Sequence, residues 1–171
     1  MSATDDPFTQ VHDALLALAK ADTTLIGLVP NIVELEGDRT DAAQTDASVE
    51  ELPRLMLKPD EDFLKEVRDS HEATIRATWN WELETGDKWP RAMLYPVIWR
   101  LFRVMAPART LLKSGGASEL TWNSRAFVYD VSLTTVKPDW DVRNRNRNSH
   151  GWNALLACVV QMNFLRTNLP P

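Results

Sequence analysis

Residues Ile75, Ala77, Trp79, Trp81 and Leu83 alternate with Thr74, Arg76, Thr78, Asn80, Glu82 and Glu84, apolar in one set and polar in the other. Successive side chains leave an extended backbone on opposite faces, so this period belongs to a half-buried strand. TIRATWNWELE therefore predicts an antiparallel strand, ended by the turn residues TGDK. WNALLACVVQMNFL repeats the pattern, with Trp152, Ala154, Leu156, Cys158, Val160, Met162 and Phe164 on one face. Leu155, Ala157 and Val159 add apolar positions on its other face, which predicts a central strand covered on both sides. RAFVYDVSLTTV alternates again, with Phe127, Tyr129, Val131 and Leu133 facing one way. LPRLMLK, residues 52–58, and the brief NIVEL complete the predicted strands.

Two segments switch to helical spacing. Asp6 and Pro7 read as an N-cap and first helical position, followed by Phe8, Val11, His12, Leu15, Leu18 and Ala19. Met93, Leu94, Val97, Ile98, Leu101, Phe102 and Met105 form a second stripe before Pro107, with Pro96 either bending that helix or marking its start. ADTTLIGLVPN reads as a short apolar turn or half-helix stopped by Pro30 and Asn31. The order of helix, strand, strand, helix, strand, strand predicts an α+β fold: a mixed, mostly antiparallel sheet of four to five strands with two helices packed on one face.

Between these elements lie polar stretches. Residues 36–51 carry six acidic residues and one Arg with no apolar period, the composition of a solvated loop. PDEDFLKEVRDSHE is dense in charge and reads as a hairpin extension or a one-to-two-turn helix, and LLKSGGASEL reads as a linker. The expectation is one domain over residues 1–171 with protruding loops at 36–51, 59–72 and 137–151.

Composition narrows the function classes. Nineteen Lys plus Arg against 24 Asp plus Glu give a formal net charge of -5, so any nucleic-acid contact has to be local. Seven tryptophans predict large packing surfaces. The single Cys158 cannot close a disulfide within the chain, which fits folding in a reducing compartment. The acidic start MSATDDPF is unlike a signal peptide, and the longest apolar run, ALLACVV, is far short of a bilayer span, so neither export nor membrane insertion is expected.

Candidate chemistry is sparse. His12, His71 and His150 have no Cys or second His at ligand spacing. HEATI lacks the second histidine of a zinc-protease helix, and DWDVRN places Arg143 where a calcium loop needs an oxygen ligand. Glu82 and Glu84 sit side by side on a polar strand face, where solvated charge is the simple reading and an acid/base pair the sharper one. Trp79 and Trp81 read as core, or as the lining of a ligand pocket. No catalytic residue, metal site or cofactor site is expected. The one unusual motif is DVRNRNRNSHGW, in which Arg143, Arg145 and Arg147 recur at every second position and His150 follows. At the tip of a hairpin these residues form a solvated loop, a contact to a neighbouring protein through arginine's planar fork, or a phosphate contact.

The leading segment ALLALAKADTTLIGLVPNIVEL, with its helix and following turn, the strand ELPRLMLKP, the alternating ATIRATWNWELETGD running into a helix, and the closing GWNALLACVVQMNF, taken together, resemble the tail terminator or tail completion proteins of long-tailed bacteriophages and related prophages. The resemblance covers most of the chain in order and contains no catalytic signature. It implies a non-enzymatic virion protein of the tail or neck, assembled in the bacterial cytoplasm. Such a protein forms a hexameric ring that caps the tail tube, stops its polymerisation and offers a docking surface to the head and neck. The implied partners are further copies of the chain, the tail-tube protein and neck or connector proteins. In a sixfold ring the three tip arginines would become a girdle of about eighteen charges, facing neighbours or double-stranded DNA in the lumen. Other neck, head-tail joining or tail-tube subunits share this plan, and a ligand-binding domain built on Trp79 and Trp81 is the alternative of a different class.

Overall fold

A computed structural model describes residues 7–34, 53–68, 72–85, 91–106, 112, 125–140 and 150–165. Three helices, α1 (Pro7–Lys20), α2 (Thr23–Leu28) and α3 (Arg91–Met105), accompany five strands: β1 (Asn31–Glu34), β2 (Arg54–Arg68), β3 (Glu72–Glu84), β4 (Arg125–Trp140) and β5 (His150–Leu165). The strands form one sheet in the order β1-β2-β3-β5-β4. β1 runs parallel to β2 and every other pairing is antiparallel. The predicted α+β class holds, and of the turn or half-helix read in residues 21–31 the helix is found, as α2. The predicted cap Asp6 lies outside the described residues.

The two-residue period of β3 and β5 decides the core. Ala77, Trp79, Trp81 and Leu83 are buried together with Ala154, Leu156, Cys158, Val160 and Met162, and Leu55 and Leu57 of β2 continue the same face. Onto it pack Val11, Ala14, Leu15 and Ala19 of α1 and Leu94, Val97, Ile98, Leu101 and Met105 of α3. Each fully buried Leu, Val or Met side chain contributes roughly 1.5–3 kcal/mol, which is what holds the helices on the sheet. Met93, predicted in the α3 stripe, is exposed, because it lies on the far flank of the helix from Leu94 and Leu101. Pro96 stands inside α3 rather than at its start.

β5 sits between β3 and β4, in the sheet interior as predicted. Leu155, Ala157 and Val159 on its second face are half-buried. No described helix covers them. Their partners in register are polar: Glu82 and Thr135 for Leu155, Asn80 and Ser132 for Ala157, Thr78 and Asp130 for Val159.

β4 departs from the prediction. Its register against β5 shifts between Val128 and Asp130, and again between Leu133 and Thr135. A bulge inserts an unpaired residue and turns the following side chains to the other face. Before the first shift Ala126 and Val128 pair with the core residues Met162 and Val160 and are buried, while Phe127, opposite Gln161, and Tyr129, under Arg76, lie on the open face. Phe127 and Tyr129 do not share a face with Val131 and Leu133. In β2 the register shifts between Pro59 and Leu64, and residues 60–63 stand opposite Thr78 alone. The segment after Lys58 is thus the hairpin extension, not a helix.

Strand length exceeds helix length. A 16-residue strand spans roughly 50 Å. The 15-residue α3 spans about 22 Å, so more than half of the sheet's long dimension extends past it.

Candidate functional site

The face of the sheet away from the helices is a mesh of matched charges and amides. Arg54 Nε donates to Glu84 Oε2 at 2.5 Å, and Lys58 Nζ donates to Glu82 Oε2. Asn153 Nδ2 donates to the other Glu82 oxygen at 2.5 Å, and Asn80 Nδ2 donates to Asp60 Oδ1 at 2.9 Å. Farther along, Arg76 Nε donates to Gln161 Oε1 at 3.2 Å while its guanidinium lies 4.1 Å from the centre of the Tyr129 ring. Burial pushes the Glu82 carboxyl up, but hydrogen bonds from Lys58 and Asn153, with the charges of Lys58 and Lys137, outweigh it and hold the group below the usual carboxylate range. Glu82 is therefore an ionised structural partner. The acid/base pairing of Glu82 with Glu84 is not built, because each carboxylate is taken by a different cation of β2. Among the residues whose side chains are described, Arg54, Lys58, Arg76 and Lys137 are interleaved with Asp60, Glu82, Glu84 and Asp130, so these charges balance and make no positive patch among themselves.

A cleft of about 580 Å³ lies where α1 meets β2 and β3, lined by Phe8, Thr9, His12, Asp13, Pro59, Asp60 and Trp79. Trp79 supplies its floor at 2% exposure, whereas Trp81, fully buried, does not reach it. Both tryptophans are thus core residues, as the alternation predicts, and Trp79 in addition lines the cleft. Among the described residues no group of three His, Cys, Asp or Glu could hold a metal ion. No helix among them is long and apolar enough to cross a membrane. Cys158 is buried, and desolvation together with the nearby Asp130 charge pushes its thiol up to about 12, so it is no nucleophile in the folded chain.

The sheet places its two hairpin ends apart. β3 ends at Glu84 opposite Asn153, but β4 and β5 continue as a two-stranded ribbon through Pro138–Trp152, Asp139–Gly151 and Trp140–His150. Arg143, Arg145 and Arg147 lie outside the described residues, on the connection that closes this ribbon, and His150 is the first residue of β5. The β2–β3 connection is at the other end, where Glu72 pairs with Leu165. The start of α3 is beside the ribbon: Arg91 lies 5.4 Å from the Trp152 ring, and Thr85 N donates to Trp152 O at 3.0 Å.

Asp22 fastens the helical layer. Its Oδ1 accepts from Leu25 N at 2.7 Å, capping α2, and from Arg100 Nε of α3 at 2.9 Å, while Oδ2 accepts from Arg100 at 2.5 Å. The Arg100 hydrogen bond is the main reason its carboxyl sits below the ordinary value. Reading the stripe of α3 as core alone missed what its other flank exposes: Tyr95 and Trp99 fall off the buried line at helical spacing and are 50% and 66% exposed.

This is a sheet-and-helix scaffold whose distinctive features are surfaces and ends. No protein-family model matches the chain, and no curated protein matches it in sequence. Solved structures share its fold. A chain of the virion of a native gene transfer agent particle superposes with a TM-score of 0.53 at 13% identity, over 94% of this chain and 99% of that one. A second solved chain superposes with a TM-score of 0.50 at 14% identity over the whole of both. The gp17 protein of bacteriophage SPP1 aligns over 99% of this chain and 100% of its own at 10% identity and a TM-score of 0.41, too low to carry an argument. At these identities the likeness is one of fold.

Proposed function

We propose that the chain is a structural virion protein, a tail terminator that forms a hexameric ring on the last ring of the tail tube. The observation that carries this reading is a fold held in common with a chain of a virion particle, on a sheet whose hairpin connections lie at opposite ends. A ring subunit needs lateral contacts to its neighbours and axial contacts in two directions. The two sheet ends supply the axial pair, one toward the tube and one toward the neck or connector. The described charges of the open face, balanced and hydrogen-bonded to one another, support a role in shape rather than turnover. The arginine tip at the ribbon end would meet neighbouring protein or passing double-stranded DNA.

The test is assembly. Particles made without this chain should have tubes of irregular length and no attached heads, and purified chain should halt growth of tube protein in vitro. Particle imaging should place the chain at the tube end. Tubes of normal length that still join heads would overturn the reading, and density elsewhere in the neck or along the tube would reassign the chain to a joining or tube subunit. Replacing Arg143, Arg145 and Arg147 with Ala should leave the fold intact and lower particle yield; unchanged yield and DNA retention would remove the tip from the mechanism. The cleft floored by Trp79 supports a second reading, a small-ligand site, for which a saturable change in tryptophan emission on adding apolar ligands would be the sign.

A further inference from the structure

α3 carries Arg91, Arg100 and Arg103 and no acidic residue, within a chain of net charge -5. Arg100 is neutralised by Asp22, but among the described residues neither Arg91 nor Arg103 has a carboxylate partner. Arg91, Tyr95, Trp99 and Arg103 follow one another at four-residue steps, which places them in a line about 18 Å long beside the buried stripe. Tyr95 and Trp99, in the middle of the line, are 50% and 66% exposed, the two most exposed large apolar side chains among the described residues. Arg91 is held at one end, with its guanidinium 5.8 Å from the Tyr95 ring and 5.4 Å from the Trp152 ring. An ordered cation, two aromatics and a second cation, without Lys or acid among them, is the composition that concentrates binding energy at protein interfaces.

Resting on the ring reading above, we infer that this line on α3 is the centre of the lateral contact between subunits, occupied by a carboxylate-bearing surface of a second copy of this chain. Charge complementarity selects that occupant. The chain has 24 acidic residues, and residues 36–51 alone hold six of them against one Arg, so every copy carries the partner chemistry that the α3 line lacks. The contact is heterologous, basic-aromatic on one copy and acidic on the next, and such contacts close into rings where like-to-like contacts give dimers. The aromatics supply the desolvated centre and the arginines take carboxylates in a planar fork.

Sedimentation velocity of the full chain, alone and with tail-tube protein, tests this. Trp99→Ala should weaken self-association by roughly thirtyfold, the effect of losing a central aromatic anchor. Arg91→Glu with Arg103→Glu should do the same, and association should weaken as salt is added. Because Trp99 and Arg103 are exposed, unfolding midpoints should not move; Arg103→Glu alone serves if Trp99→Ala does not fold. Self-association unchanged in these variants overturns this surface and leaves the ring reading standing. A wild-type chain that stays monomeric at every concentration and on tube ends overturns both. Binding of a duplex oligonucleotide that disappears in Trp99→Ala, with self-association intact, would assign the line to nucleic acid and overturn the proposal.

Discussion

Trp81 offers a sharp check on the packing. It is 0% exposed, between Leu57 of β2 and Leu156 of β5 in register, and among the described residues its indole Nε1 has no hydrogen-bond partner. Two terms oppose each other. Truncation to Ala removes a whole buried aromatic and should cost about 3–5 kcal/mol. Replacement by Phe vacates roughly 40 Å³, which costs about 1 kcal/mol at the usual cavity coefficient and about 1 kcal/mol more in lost burial of the ring atoms removed. The same replacement removes an unpaired buried donor, which relieves about 1–3 kcal/mol. Trp81→Phe should therefore lie within about 1 kcal/mol of neutral in either direction, while Trp81→Ala is strongly destabilising. Urea denaturation followed by far-ultraviolet circular dichroism measures both, and an unchanged slope would show that the unfolded states are comparable. A loss above about 2 kcal/mol for Trp81→Phe would mean that the indole N–H is satisfied and useful. A loss under about 1 kcal/mol for Trp81→Ala would put this strand face outside the core.

Other outcomes follow from single groups. Asp22→Ala should remove about 1 kcal/mol of helix capping and lower the Tm by about 2–4 °C, whereas Asp22→Asn, which keeps a capping oxygen, should lower it less. Equal losses in a thermal melt would show that the Arg100 pairing, not the cap, dominates. The Asp22 and Glu82 carboxyls both sit below their ordinary values, so as pH falls the unfolded chain takes up their protons first. Their stabilisation is complete above about pH 5 and is lost as pH drops through about 4 and below. Glu82→Gln should flatten the acid limb of a stability-pH curve; an unchanged limb would remove Glu82 from that linkage. Cys158 should react with a maleimide only at the rate of opening of the chain, and stoichiometric labelling within seconds in native buffer would contradict its burial.

The candidate surfaces were only partly legible beforehand. The arginine tip is conspicuous in sequence, but its three arginines lie outside the described residues. Tyr95 and Trp99 were legible in principle, since both fall off the apolar stripe of α3, yet a large aromatic near a core stripe is ordinarily read as packing. What marks them is exposure, which depends on where α2 and the sheet stop covering the helix.

Local periodicity determined a good deal by itself. The alternation in β3 and β5 and the stripes of α1 and α3 depend only on how side chains leave a helix or a strand, and those apolar faces are the ones found in the core. The α+β class followed from their order. Tertiary structure alone decided the face change in β4, because a bulge is defined by residues that a partner strand leaves unpaired. It also decided that β2 runs through a charged stretch to Arg68, held there by β3, and that the two hairpin ends lie apart. Pairing register is a property of two strands together, and no pattern within one of them contains it.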